Sequence, residues 1–206
     1  MAKVVTEYKL AKEVFSLGRD IIMSDEAQCM KTFTQHGTTS VFEHALAVAK
    51  FSLLFAINLE AMFGVKVDRE ALIRGALLHD YFLYDWHKPS DKRRGLHGFT
   101  HPAIACENAV RDFHISPIEQ DIIKHHMFPL TVIFPHSWEG WLVCFADKWC
   151  ALCETFGMDV SSYIIYRVNL HYELLRGRIT LGAPGKKEDK AVITDGVKGT
   201  EEDSGV

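Results

Sequence analysis

The chain has 206 residues, 48% of them apolar and 24% charged, with a formal net charge of -4. That composition excludes a disordered chain and suits one domain with a substantial core. The mild acidity excludes non-specific nucleic-acid binding, which needs a basic surface, and leaves small phosphorylated substrates open.

Helical periodicity dominates, without an internal repeat. A first helix is expected from Thr6 to about Met23, and a second behind Ser24, an N-cap followed by Asp25 and Glu26. Gly37-Thr38-Thr39-Ser40 reads as a turn. A long helix follows from Val41 to about Met62, with Gly64 as its C-cap. Asp68 caps a helix from Arg69 to about Asp80, and Tyr81 to Thr100 forms a polar, aromatic loop. Pro102 is expected to open the next helix at its first turn. Ser116-Pro117-Ile118-Glu119 is a capping box with proline at the first helical position, the sharpest local signal in the chain. Pro129 and Pro135 bracket a loop. Helices are expected from Trp138 to about Phe156 and from Ser161 to about Arg176. From Gly182 the composition turns to Gly, Lys, Glu and Asp, so residues 182–206 read as a disordered tail dispensable for folding, and 1–181 as one all-α domain.

No apolar run reaches the length of a membrane span, about 20 residues. The N-terminus lacks a secretory h-region, so a cytoplasmic location is expected. Five cysteines make an odd count in a chain that is not small, which argues against a disulfide framework. Cys150-x-x-Cys153 has the form of a redox or zinc pair, but it stands alone on a helix and reads as two core residues.

The 11 histidines carry more information. His44 shares a helical face with Val41, Val48, Phe51 and Phe55, a place where a satisfied core histidine is also common. Asp80 continues the Leu72–Ala76 face, and Asp147 lies within an apolar helix. A buried carboxylate needs a cation or several donors. His126 follows Ile118 and Ile122 on an inward face, whereas His125 is turned about 100° away. His101 stands at the expected edge of its helix. Four imidazoles and two carboxylates from separate helices suit one or two transition-metal ions in a bundle. Thiolates of a closed structural zinc site are missing from the set.

In that order, His44, His79-Asp80, His101, His126 and Asp147 resemble the H…HD…H…H…D signature of the HD superfamily of metal-dependent phosphohydrolases, over about residues 36–155. The resemblance implies a helical bundle of roughly seven to nine helices. It implies that His44, His79, Asp80 and Asp147 bind a first metal, that His101 and His126 hold a second, and that Asp80 bridges them. The ions would be divalent transition metals, with Fe, Mn, Zn, Co and Ni not distinguished. The pattern is also similar to that of bacterial bis(nucleosyl)tetraphosphatases of the superfamily. It departs from other members after the doublet, where Tyr81 to Lys88 replaces an HD-x-G-K segment. The implied activity is hydrolysis of a nucleotide or other small phosphorylated metabolite through a metal-activated hydroxide, with Asp80 central to catalysis. Cations are needed for the developing charge. Lys148 and His97 are the preferred catalytic candidates, followed by Arg74, Lys88 and His87. His36 reads as a turn residue or an outer neighbour of the metals. The alternatives are a di-iron oxygenase with the same ligands, or a non-catalytic metal-containing binding module.

Overall fold

The structure is a computed structural model that describes residues 7–88 and 95–157. Among these residues it is an all-α bundle of eight helices with one small hairpin. The expected helix from Ser161 and the tail from Gly182 lie outside the described residues.

The N-terminal run is divided into α1 (Glu7–Leu17) and α2 (Arg19–Ile22), not one helix to Met23. The break falls at Gly18, where a Cβ would stand 2.3 Å from Leu77 Cδ1, so the packing of α5 requires a glycine there. Ser24 caps α3 (Asp25–Gln28) as expected, accepting from the Ala27 amide at 3.1 Å. A 3-10 turn (Cys29–Thr32) follows. The expected turn at Gly37 is the tip of an antiparallel hairpin, β1 (Thr34–His36) and β2 (Thr39–Ser40).

α4 (Val41–Phe63) starts from a capping box between Ser40 and Glu43 and ends at Gly64. By length and composition α4 could cross a membrane, against the expectation that no apolar run reaches that length. It is instead the central core helix, with Val48, Leu53 and Leu54 essentially fully buried. It packs against α1, against α5 (Arg69–Leu78) and against α8 (Trp138–Thr155). α5 meets α7 (Pro117–His125) closely at Gly75, where a Cβ would lie 2.5 Å from Ile122 Cδ1. The Ser116–Glu119 capping box is present in full, with Pro117 in the first turn.

α6 (His97–Phe113) departs from expectation, because Pro102 lies inside it. The helix begins five residues earlier than the proline signal suggests. The proline, in the second turn, removes the backbone bond that would reach the Gly98 carbonyl. Arg74 ties α2, α6 and α7 onto α5. Arg74 on α5 binds Glu119 at 2.6 Å, Asp20 at 2.5 Å and the Phe113 carbonyl at 3.2 Å.

Candidate metal centre

Five helices deliver the six residues of the signature to one buried point. His44 lies in the first turn of α4, directly behind the capping box. His79 caps the C-terminus of α5 and Asp80 follows it. His101 is on α6, His126 caps the C-terminus of α7, and Asp147 is in the middle of α8. All six are buried, from 0% exposure at His44 and His79 to 8% at Asp147.

The helix ends explain the aim of three imidazoles. His79 Nδ1 lies 2.7 Å from the Ala76 carbonyl, and His126 Nδ1 lies 2.8 Å from the Ile123 carbonyl. Carbonyls in the last turn have no helical partner and accept from these rings. His101 Nδ1 likewise meets the His97 carbonyl at 2.7 Å. In all three rings Nδ1–H is the donor, so Nε2 carries the free lone pair toward the centre, as in histidine metal ligands.

The Nε2 atoms surround two carboxylates. Asp80 Oδ1 lies 3.2 Å from His101 and 3.6 Å from His126, and Oδ2 lies 3.4 Å from His79. Asp147 Oδ1 lies 3.1 Å from His44 and 3.6 Å from His79. The donor atoms of His44, His79 and Asp147 fall within 4.8 Å of one another, and so do those of His79, Asp80 and His126. His101 Nε2 is 2.9 Å from His126 Nε2 and extends the second group.

A metal fits this donor set. His79 Nε2 and Asp80 Oδ1 are buried without a hydrogen-bond partner, a costly arrangement that a cation between them relieves. Two groups that share His79, rich in nitrogen and free of thiolate, form the donor set of a dinuclear divalent-metal centre. Electrostatics agree. Burial opposes charge on Asp80, yet His79 and His101 hold its carboxyl well below the usual range. Burial likewise opposes charge on Asp147, and His44 and His79 hold it low. Burial opposes charge on His44 too, but bonds to Asp147 and Glu154 raise the imidazole to about 9. Burial and the neighbouring His79 and His101 push His126 down to about 3, which keeps it a neutral lone-pair donor.

Two partners were missed in the sequence. Glu154 Oε2 meets His44 Nδ1 at 2.9 Å, so a carboxylate orients this imidazole in place of a carbonyl. Its only sequence signal is its place two turns beyond Asp147, on the same face of α8. Gln35 Nε2 donates to Asp80 Oδ2 at 2.5 Å from the hairpin. Nothing local marks Gln35, since the hairpin alone carries it there.

The candidate cations separate. Lys148 Nζ lies 3.5 Å from Asp147 Oδ2 and donates to the His126 carbonyl at 2.5 Å, so it borders the centre. The His97 ring stacks on His101 at 4.5 Å between centroids, and its Nδ1 meets the Tyr84 hydroxyl at 2.9 Å. Arg74 is occupied by Asp20 and Glu119 and is a structural residue, because α2, α6 and α7 converge on its guanidinium. Lys88 is exposed and pairs with Asp85 at 2.9 Å, and His87 leans on Trp86 at 3.9 Å. The His36 ring is half-buried, 5.8 Å from that of His44. His125 turns away from the centre to Asp121, 2.8 Å distant. Cys150 and Cys153 are buried free thiols of the core.

The family follows from fold and site together. Residues 41–151 match the HD domain, and the chain belongs to that family of metal-dependent phosphohydrolase domains. The chain is also similar to a dihydroneopterin 2',3'-cyclic phosphate phosphodiesterase of Methanocaldococcus jannaschii, 33% identical over 113 residues. That similarity covers 52% of this chain and 45% of the relative, so this chain matches less than half of the relative's length. No solved structure matches. Gln35 and Glu154 lie outside the residues matched to the family.

Proposed function

We propose that the chain is a metal-dependent phosphodiesterase acting on a small phosphorylated metabolite with a nucleotide-like or pterin-like scaffold. The observation that carries this reading is Asp80, whose two carboxylate oxygens face different donors, Oδ1 toward His101 and His126 and Oδ2 toward His79. In this reading His44, His79, Asp80 and Asp147 hold one ion, and Asp80, His101 and His126 hold the other. Two such ions supply the charge that acidifies water and stabilises phosphoryl oxygens.

The chain's own residues do the rest. Glu154 and the carbonyls of Ala76, His97 and Ile123 fix each imidazole before substrate arrives. Gln35 holds the Asp80 carboxylate in register. Lys148 keeps a cation beside Asp147 at a partly exposed position, where it can meet a phosphoryl oxygen. The stacking of His97 on His101 supports a positioning role for His97. The similarity to a cyclic phosphate phosphodiesterase favours a cyclic diester as substrate. Five free cysteines fit a reducing, cytoplasmic setting.

The test is metal analysis of the purified chain, then assay of 2',3'-cyclic and linear phosphodiesters, dinucleoside polyphosphates and nucleotides with manganese, iron or cobalt. The expected result is about two ions per chain and metal-dependent opening of a cyclic diester. Two bound ions with no turnover of any phosphoester overturns the reading. Oxygen consumption with ferrous iron would assign the centre to an oxygenase.

A further inference from the structure

Among the described residues one further group of donor atoms gathers outside the centre. Asp121, His125 and His136 each offer one atom, and the three atoms lie within 4.8 Å of one another. Asp121 and His125 stand four residues apart on α7 and share one face of it. His136 comes from the loop that enters α8, directly before the N-cap Ser137. Both rings aim the same nitrogen at the same oxygen. Nδ1 of His125 lies 2.8 Å from Asp121 Oδ1, and Nδ1 of His136 lies 2.9 Å from it. The two rings stand edge to face, 5.1 Å between centroids, so neither blocks the other. The second oxygen accounts for the helix contact by itself. Oδ2 accepts from the His136 amide at 3.0 Å, the Ser137 amide at 3.0 Å and the Ser137 hydroxyl at 2.8 Å. Besides the two rings, Oδ1 has only a longer contact with the His136 amide, 3.2 Å. The fastening of α7 to α8 therefore needs neither imidazole.

We propose that Asp121, His125 and His136 form a peripheral site for a divalent ion of the zinc class (zinc, cobalt or nickel). Two imidazole nitrogens and one carboxylate oxygen are the donor set of open zinc sites, which keep a position for water. A neutral imidazole with its proton on Nε2 presents a lone pair at Nδ1, so the ion takes the place of two ring protons at Oδ1. Metal bonds of about 2.0–2.2 Å set tetrahedral ligands about 3.3 Å apart, so each ring needs to withdraw from Oδ1 by only about half an ångström. The Asp121 and His125 side chains are mostly covered and held in place, whereas that of His136 is 63% exposed and admits an ion from solvent. The site is separate from the centre, because His125 is turned about 100° from His126 around the axis of α7. An ion here ties the loop between α7 and α8 at both ends. With three protein ligands and open positions it exchanges with buffer. Dialysis into metal-free buffer removes it and leaves the ions of the buried centre.

Equilibrium dialysis of the full chain against zinc tests this, with manganese loaded beforehand and total metal read by elemental analysis. The wild-type chain should take up about one ion more than His136→Ala or His125→Ala, since each variant loses one of three ligands. That difference holds whatever the centre binds. Zinc should also raise the melting temperature of the wild-type chain above that of the manganese-loaded chain, and should not do so in His136→Ala. His136→Ala keeps the backbone amide from which Asp121 accepts, so α7 stays fastened to α8. Its folding control is a metal content equal to wild type after dialysis into metal-free buffer. The same total metal in wild type and both variants under zinc overturns the proposal. So does an extra ion that either variant retains, since the ion then sits elsewhere.

Discussion

At the scale of single residues, the centre depends on carboxylates that point inward and imidazoles whose second nitrogen is held. Asp80→Ala should abolish hydrolysis and lower metal content together, as measured by elemental analysis beside the assay, because Asp80 Oδ1 faces His101 and His126 while Oδ2 faces His79. Normal turnover with full metal would contradict its role. His101→Ala and His126→Ala should each remove about one ion per chain. His125→Ala should leave the count unchanged, because that ring is bonded to Asp121. Glu154→Gln tests the carboxylate–histidine pair. It should weaken metal affinity by about 10–100-fold in a competition titration, with the helical circular dichroism retained. An unchanged affinity would reduce Glu154 to a packing role.

At the scale of elements, Asp121 fastens α7 to the start of α8. Its carboxylate accepts from the His136 amide at 3.0 Å, the Ser137 amide at 3.0 Å and the Ser137 hydroxyl at 2.8 Å. Burial alone would raise its carboxyl, but the bonds from His136, His125 and Ser137 outweigh burial and hold it at about 2, against an ordinary 3.8. A depressed carboxyl stabilises the fold fully above its unfolded value and loses that contribution as pH falls through its folded value. Stability to urea should therefore decline from about pH 4 toward pH 2. Asp121→Ala should reduce that slope and cost about 1–3 kcal/mol at neutral pH, because two backbone amides lose their acceptor. Gly75 is the complementary case. Gly75→Ala would force a methyl against Ile122 at the α5–α7 contact and should cost about 1–3 kcal/mol.

At the scale of the whole molecule, the centre is also a brace, since it gathers α4, α5, α6, α7 and α8 at one point. Metal that binds only the folded chain stabilises it by mass action, about 2.7 kcal/mol at a hundredfold excess over Kd. Chelation should lower the melting temperature by about 5–10 °C, and an excess of manganese or cobalt should restore it. A melting temperature indifferent to chelator would mean that the bundle is held by its apolar core alone.

The sequence by itself determined the helical class, most caps, and the ordered set His44, His79-Asp80, His101, His126 and Asp147. Those features are encoded locally, in the hydrogen-bonding habits of Ser and Asp at helix starts and in the cost of a carboxylate on an apolar face. Tertiary structure decided what local rules cannot carry. Pro102 signals a helix start, yet α6 begins at His97. Gly18 parts α1 from α2 at a point where Leu77 of α5 leaves no room for a Cβ. Arg74 looked available to substrate until Asp20 and Glu119 were brought to it. Gln35 and Glu154 reach the centre only through the hairpin and the far end of α8, contacts 45 and 110 residues apart in the chain. Spacing within one helix fixes which face a side chain shares, but only the packing of helices on one another fixes which partner that face meets.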